Sequence, residues 1–90
     1  MVIAITVEDL GTWGASQLRS EYDPRGPAIR INSNFLASLP ESERIGAIAF
    51  AIGHELYHHC EHCGTAPICA DRAVREAAAD DFARALGAGA

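Results

Sequence analysis

The order of apolar and polar positions divides the chain into a β-rich first third and a helical remainder. Residues 2–7 are β-branched or small and apolar, and predict a strand. Gln17 to Tyr22 predicts a second strand. Asp23-Pro24-Arg25-Gly26 is a turn sequence, with Pro preset for its second position and Gly at its fourth. Pro27 to Asn32 then alternates as a third strand, paired with the second in a hairpin. Pro27 cannot donate to a ladder, which favours a sheet edge for that strand. Gly11, Gly14 and Ser16 punctuate residues 8–16, which read equally well as a loop or a short helix.

From Ser38 the period changes. Ser38-Leu39-Pro40-Glu41 fits a capping box with Pro in the first turn, and predicts a helix running to about Cys60. Ile45, Ile48, Ala49, Ile52 and Leu56 fall on one stripe, the expected core face. Ala47 and Ala51 lie away from that stripe, and their small size leaves room for another element. Gly64 and Pro67 mark a loop over 63–69. Asp71 is placed to N-cap a second helix, alanine-rich with Val74, Phe82 and Leu86 as its larger apolar groups, ending at a Gly87 C-cap. Strands followed by helices make this α+β, a single domain over residues 1–90. Trp13, Phe35, Phe50 and Phe82 read as core packing.

Charge and composition narrow the chemistry. Seven basic and twelve acidic residues give a formal charge of −5, which disfavours a nucleic-acid surface. The longest apolar stretch inside the chain, Ile45 to Gly53, is too short to span a bilayer. Residues 1–7 lack a basic n-region. Three cysteines, an odd number, do not make a secreted disulfide framework. These features point to a protein of the reducing cytoplasm. Nothing in the pattern specifies an oligomeric state.

Within the first helix stands His54-Glu55-Leu56-Tyr57-His58. Histidines four apart share a helix face and can reach one Zn²⁺, with the glutamate between them as general base. His54 and His58 are therefore the expected ligands and Glu55 the expected catalytic residue. A catalytic zinc needs a third protein ligand. Glu76 supplies it if the two helices pack antiparallel, and Asp80, one turn on, is then placed to orient a ligating imidazole. His62 competes, but it lies roughly 12 Å beyond His54 along a straight helix. Glu61 and Asp71, at a helix end and a cap, are weaker rivals. Cys60-Glu61-His62-Cys63 with Cys69 contains one CxxC where structural zinc sites pair two. It reads as three reduced cysteines around a helix end.

Three segments resemble the ImmA/IrrE family of small gluzincin-type metallopeptidases. These are Ile29-Arg30-Ile31-Asn32, the HExxH with His62 four residues on, and Glu76 with Ala79-Asp80 and Phe82-Ala83. The resemblance implies a minimal zincin-like fold: a small antiparallel sheet, an active-site helix and a glutamate-bearing helix. It implies zinc at His54, His58 and Glu76, Glu55 as base, and a protein substrate of the helix-turn-helix repressor kind. The chain departs in its cysteine cluster, in Tyr57 before the second histidine, and in having no room for a fused DNA-binding domain.

The expected activity is zinc-dependent peptide hydrolysis on a protein or peptide substrate, with no direct nucleic-acid or membrane partner. A peptide would add as a strand along a sheet edge near Ile29 to Asn32. Tyr22, Tyr57 and His62 are unranked candidates for assisting the oxyanion. The alternative is a non-catalytic, zinc-stabilised protein-binding module built on the same core.

Overall fold

The computed structural model describes residues 2–11 and 18–88, the last by its backbone alone. Trp13, Gly14, Ser16 and Gln17, whose packing and punctuation were anticipated above, lie outside the described residues. The elements are β1 (Ala4–Glu8), β2 (Ser20–Asp23), β3 (Ala28–Asn32), α1 (Ser33–Ala37), α2 (Glu41–Cys63) and α3 (Arg72–Ala88). The α+β class expected from the pattern is what the chain forms.

The sheet corrects one expectation. Its order is β1-β3-β2. β2 and β3 are the antiparallel hairpin, but β1 runs parallel to β3, so the sheet is mixed rather than antiparallel. β3 is therefore central and not an edge. Within the hairpin β2 lies on one side of β3, and β1 lies on the other. Pro27 does not obstruct this, because it precedes the first strand residue. Its carbonyl accepts from the Ala4 N–H at 3.2 Å, and its missing donor is not needed.

Register decides which side chains meet the helices. Across the three strands Ile5, Ile29 and Tyr22 align, as do Val7, Ile31 and Ser20. Aligned residues share a face, and on this one Ile29 and Ile31 pack with Leu36 and Ala51 into the core. The opposite face carries Arg30, which bonds Glu21 at 2.7 Å and Asp23 at 3.0 Å. β1 is exposed along its whole length, Ile5 and Val7 included.

Asn32 ends β3 and begins α1, a short helix the sequence did not announce. Its side chain is fully buried and fully engaged. Oδ1 accepts from the backbone of Asn34 and Leu10, and Nδ2 donates to the carbonyls of Gly11 and Leu18. Ser38 consequently closes α1, donating its hydroxyl to the Phe35 carbonyl. The predicted capping box does not form: α2 begins after Pro40 with no side-chain cap.

Ile48, Ile52 and Leu56 of α2 pack on the core as expected, whereas Ile45 is 82% exposed and Ala49 is also exposed. The cause is length. Five-residue strands reach roughly 17 Å, and a 23-residue helix roughly 35 Å. The first turns of α2 thus have little sheet to rest on. Gly64, with φ of +81°, ends α2 three residues beyond Cys60 in a left-handed cap. Asp71 caps α3 by accepting from the Ala73 N–H at 2.9 Å. α3 runs through Gly87 to Ala88 rather than stopping at it.

α2 and α3 are antiparallel. Moving down α2 from Glu61 to His58, His54 and Gly53 meets Arg75, Glu76, Asp80 and Ala83 in ascending order. The helices approach closely at Gly53, where an added Cβ would stand 2.9 Å from the Ala83 Cα. Glycine there admits the second helix, while Ala47 and Ala51 line the cleft beside His54.

Candidate metal centre

His54 and His58 occupy the middle of α2, one turn apart on the face turned to α3. Their ring centroids are 4.9 Å apart, and the two Nε2 atoms 3.3 Å apart. One ligand atom from each of His54, Glu55 and His58 lies within 4.8 Å of the others, a group able to hold a metal ion. From α3, Glu76 sets one carboxylate oxygen 2.8 Å from His54 Nε2 and the other 3.5 Å from His58 Nε2.

The outer nitrogens fix what the inner ones can do. His54 Nδ1 is 2.8 Å from Asp80 Oδ1, and His58 Nδ1 is 2.6 Å from Glu61 Oε1. An ionised carboxylate only accepts, so each Nδ1 carries the proton. In a neutral imidazole Nε2 is then a bare lone pair. With both rings neutral, these two lone pairs and the Glu76 carboxylate come together with no donor among them. In that state they repel unless a cation is shared, either a proton on one Nε2 or a metal ion. Four bonds of roughly 2.0–2.1 Å in a tetrahedron put ligand atoms about 3.3 Å apart. The two Nε2 atoms are 3.3 Å apart, and Glu76 has one oxygen 2.8 Å from His54 Nε2 and its other oxygen 3.5 Å from His58 Nε2, all close to that value. The donor set fits a borderline-soft divalent ion.

Glu55 points to the sheet side of the same space. It is 5% exposed and accepts from the Ser20 hydroxyl at 2.5 Å. Burial pushes its carboxyl up from the usual carboxylate range, while the Ser20 hydrogen bond and the imidazoles pull it down. Ser20 was not singled out from sequence. The hairpin register held the signal, since strand alternation puts Ser20 and Tyr22 on the face of Ile29 and Ile31.

The rival ligands are placed elsewhere. Asp71 is spent capping α3. His62 is exposed, near the Tyr22 ring at 6.3 Å between centroids. Glu61 is buried against the outer side of His58 and is gripped by Arg75, whose Nε and Nη2 stand 3.0 and 3.3 Å from its two oxygens. The Arg75 guanidinium holds the Glu61 carboxyl below its usual range, against the opposing effect of burial. Of the aromatic candidates, Tyr57 leans on Phe82 at 5.7 Å, whereas the Tyr22 hydroxyl is 2.6 Å from His59 Nδ1. Cys60, Cys63 and Cys69 are unpaired and form no metal-holding group among the described residues.

Two clefts flank the centre. One, of about 660 Å³, is walled by Leu18, Phe35, Leu39, Ala47 and Phe50, and opens on His54, Glu55 and Glu76. The other, of about 680 Å³, is polar, with Tyr22, His62 and Arg72 in its wall. Among the described residues no helix is long and apolar enough to cross a membrane. No family model matches the chain, and neither a curated protein nor a solved structure matches it.

Proposed function

We propose that this chain is a zinc metallopeptidase of the gluzincin type, working on a protein substrate in the cytoplasm, with a minimal zincin-like fold. His54, His58 and Glu76 hold the ion, Asp80 orients His54, and Glu55 is the catalytic base. The reading is carried by the approach of His54 Nε2, His58 Nε2 and the Glu76 carboxylate to within 2.8–3.5 Å of one another while carboxylates hold both outer Nδ1 atoms. The likeness of HExxH and ExxAD segments to the ImmA/IrrE peptidases supports it. That likeness makes helix-turn-helix repressors the first substrates to try.

Zinc, when bound, polarises a peptide carbonyl and brings the pKa of water to about 7. The protein does the rest. Glu55 takes a proton from the attacking water and returns it to the departing amine. Ser20 holds the Glu55 carboxylate by donating to Oε2, leaving the other oxygen for that exchange. The apolar cleft receives a side chain beside the scissile bond. The sheet edge that faces this centre is β2, because β3 is central, so an extended substrate adds along Ser20–Asp23 rather than along Ile29 to Asn32.

Purified protein should contain close to one zinc per chain, and Glu76→Ala should lose it. Glu55→Gln should keep the zinc and lose hydrolysis. A Glu55→Gln protein that cleaves like wild type removes Glu55 from the chemistry. One that keeps zinc while wild type itself is inert on repressor and peptide panels favours the non-catalytic binding module instead.

A further inference from the structure

We infer that Glu61 and Arg75 form a positioning pair for His58, through which the docking of α3 sets both imidazole rings and not only the one that Asp80 touches. This rests on the metal reading above and adds two residues to it. Glu61 lies on α2 one turn beyond His58, on the side away from the converging Nε2 atoms. Its side chain is 2% exposed, a costly place for a charge without partners. Both its oxygens are occupied. Oε1 takes the His58 Nδ1–H at 2.6 Å and Arg75 Nη2 at 3.3 Å, and Oε2 takes Arg75 Nε at 3.0 Å.

The chemistry of the pair explains the arrangement. A guanidinium only donates, so a carboxylate gripped by it through both oxygens is kept an acceptor. An acceptor on Nδ1 leaves Nε2 bare and aimed at the centre. Without Arg75 the carboxylate is free to rotate about its own side chain, and His58 loses the partner that selects its tautomer. A structural clasp between helices would need only Arg75 and Glu61 in contact. It would not require one oxygen to lie 2.6 Å from a ring nitrogen of a metal-facing histidine. Arg75, Glu76 and Asp80 thus act together from one stretch of α3: a holder for Glu61, a ligand, and a holder for His54.

The test separates positioning from mere stability. Zinc dissociation constants are measured on the folded metal-free protein by competition with a chromogenic chelator, and urea midpoints are measured on the same samples. Glu61→Ala should weaken zinc by about 10–100-fold, the usual effect of removing a partner of a ligating histidine. Arg75→Met, which touches neither the ion nor His58, should weaken it in the same direction. The double variant should be no weaker than Glu61→Ala alone, because Arg75 acts through Glu61. Glu61→Gln, which keeps the volume and one acceptor oxygen, should fall between wild type and Glu61→Ala. Imidazole ¹⁵N shifts should show His58 protonated at Nδ1 in wild type and a mixture of tautomers in Arg75→Met. If urea midpoints fall while the zinc constants and the tautomer stay at wild-type values, the pair is only a clasp and the inference is wrong. Wild type that takes up no zinc at all overturns the metal reading, and this one with it.

Discussion

Gly53 offers the sharpest test of how α3 is placed, because the same substitution on the same helix should have opposite signs at two positions. A Cβ added at Gly53 would stand 2.9 Å from the Ala83 Cα, 3.0 Å from its Cβ and 3.6 Å from the Leu86 Cδ1. An added Cβ at Gly46 meets nothing within 4 Å. Replacing Gly by Ala inside a helix is worth about 1 kcal/mol on propensity alone. Gly46→Ala should therefore stabilise by up to about that amount. At Gly53 the nearest atom is backbone and cannot rotate aside. Restoring an ordinary carbon contact near 3.6 Å from 2.9 Å means moving α3 by roughly 0.7 Å. Overpacking of that kind costs about 1–3 kcal/mol, and a backbone clash lies toward the upper end. Net of propensity, Gly53→Ala should lose about 1–2 kcal/mol. For a chain of this length each kcal/mol is worth about 4–8 °C in Tm. Thermal and urea melts of the two metal-free variants against wild type read the difference directly. A Gly53→Ala protein as stable as Gly46→Ala would mean that α3 does not approach α2 as described, and every cross-helix distance at the metal centre would fall with it.

Removing metal is the broadest perturbation. At free zinc a thousandfold above its dissociation constant, binding adds about 4 kcal/mol, so a chelator should lower Tm by roughly 15–30 °C, and an unchanged melt would refute a bound ion. Ala47→Leu narrows the apolar cleft without touching a ligand. Zinc content should stay at wild type while a peptide hydroxamate with a benzyl side chain binds more weakly, and equal binding would show that the cleft takes no side chain. Acid stability should depend on Asp23, whose carboxyl Arg25 and then Arg30 hold far below its usual range. A depressed folded pKa contributes stability above the unfolded value, about 3.9, and loses it as pH falls below that. Asp23→Asn should accordingly be less stable than wild type at pH 7 and converge on it toward pH 2 in urea midpoints. Parallel curves would remove Asp23 from the acid limb.

How much of this was legible in the chain depends on how local the signal was. The positions of His54, Glu55 and His58 followed from helical spacing alone, and the facing of Glu76 and Asp80 followed once an antiparallel helix pair was assumed. Asp71 opens α3 where cap chemistry places it, whereas Gly64, which by sequence only marks a loop, closes α2 beyond the expected end at Cys60. What failed was set by distant partners. Pro27 argued for an edge strand, but its carbonyl rather than its nitrogen faces β1, and the strand after it is central. Ser38 had a capping-box sequence, yet Asn32 had already started a helix that Ser38 instead finishes. Ser20 could be seen beside Glu55 only through the hairpin register. Glu61, by sequence a weaker rival ligand at a helix end, meets His58 in the structure. Spacing says nothing of which ring nitrogen it meets, and it meets the outer one.

The departures from ordinary folding rules collect in one place. A glycine in the middle of a helix, a buried Glu55 pushed toward neutrality and a buried Glu61 held charged by an arginine are each locally unfavourable. All three lie between Gly53 and Glu61 on α2, around the region where His54 and His58 turn their Nε2 atoms to Glu76. Elsewhere Asn32 is buried but satisfied, and among the described residues no deeply buried side-chain nitrogen or oxygen lacks a hydrogen bond. Several adjoining positions that give up stability together are what a function centred there would produce. Gly53 brings α3 close enough for Glu76 to reach both rings. Asp80 and Glu61 then turn those rings inward, and Arg75 keeps Glu61 fixed. Each unfavourable choice makes sense only if the next is present, which is why the centre should respond to mutation as a unit rather than residue by residue.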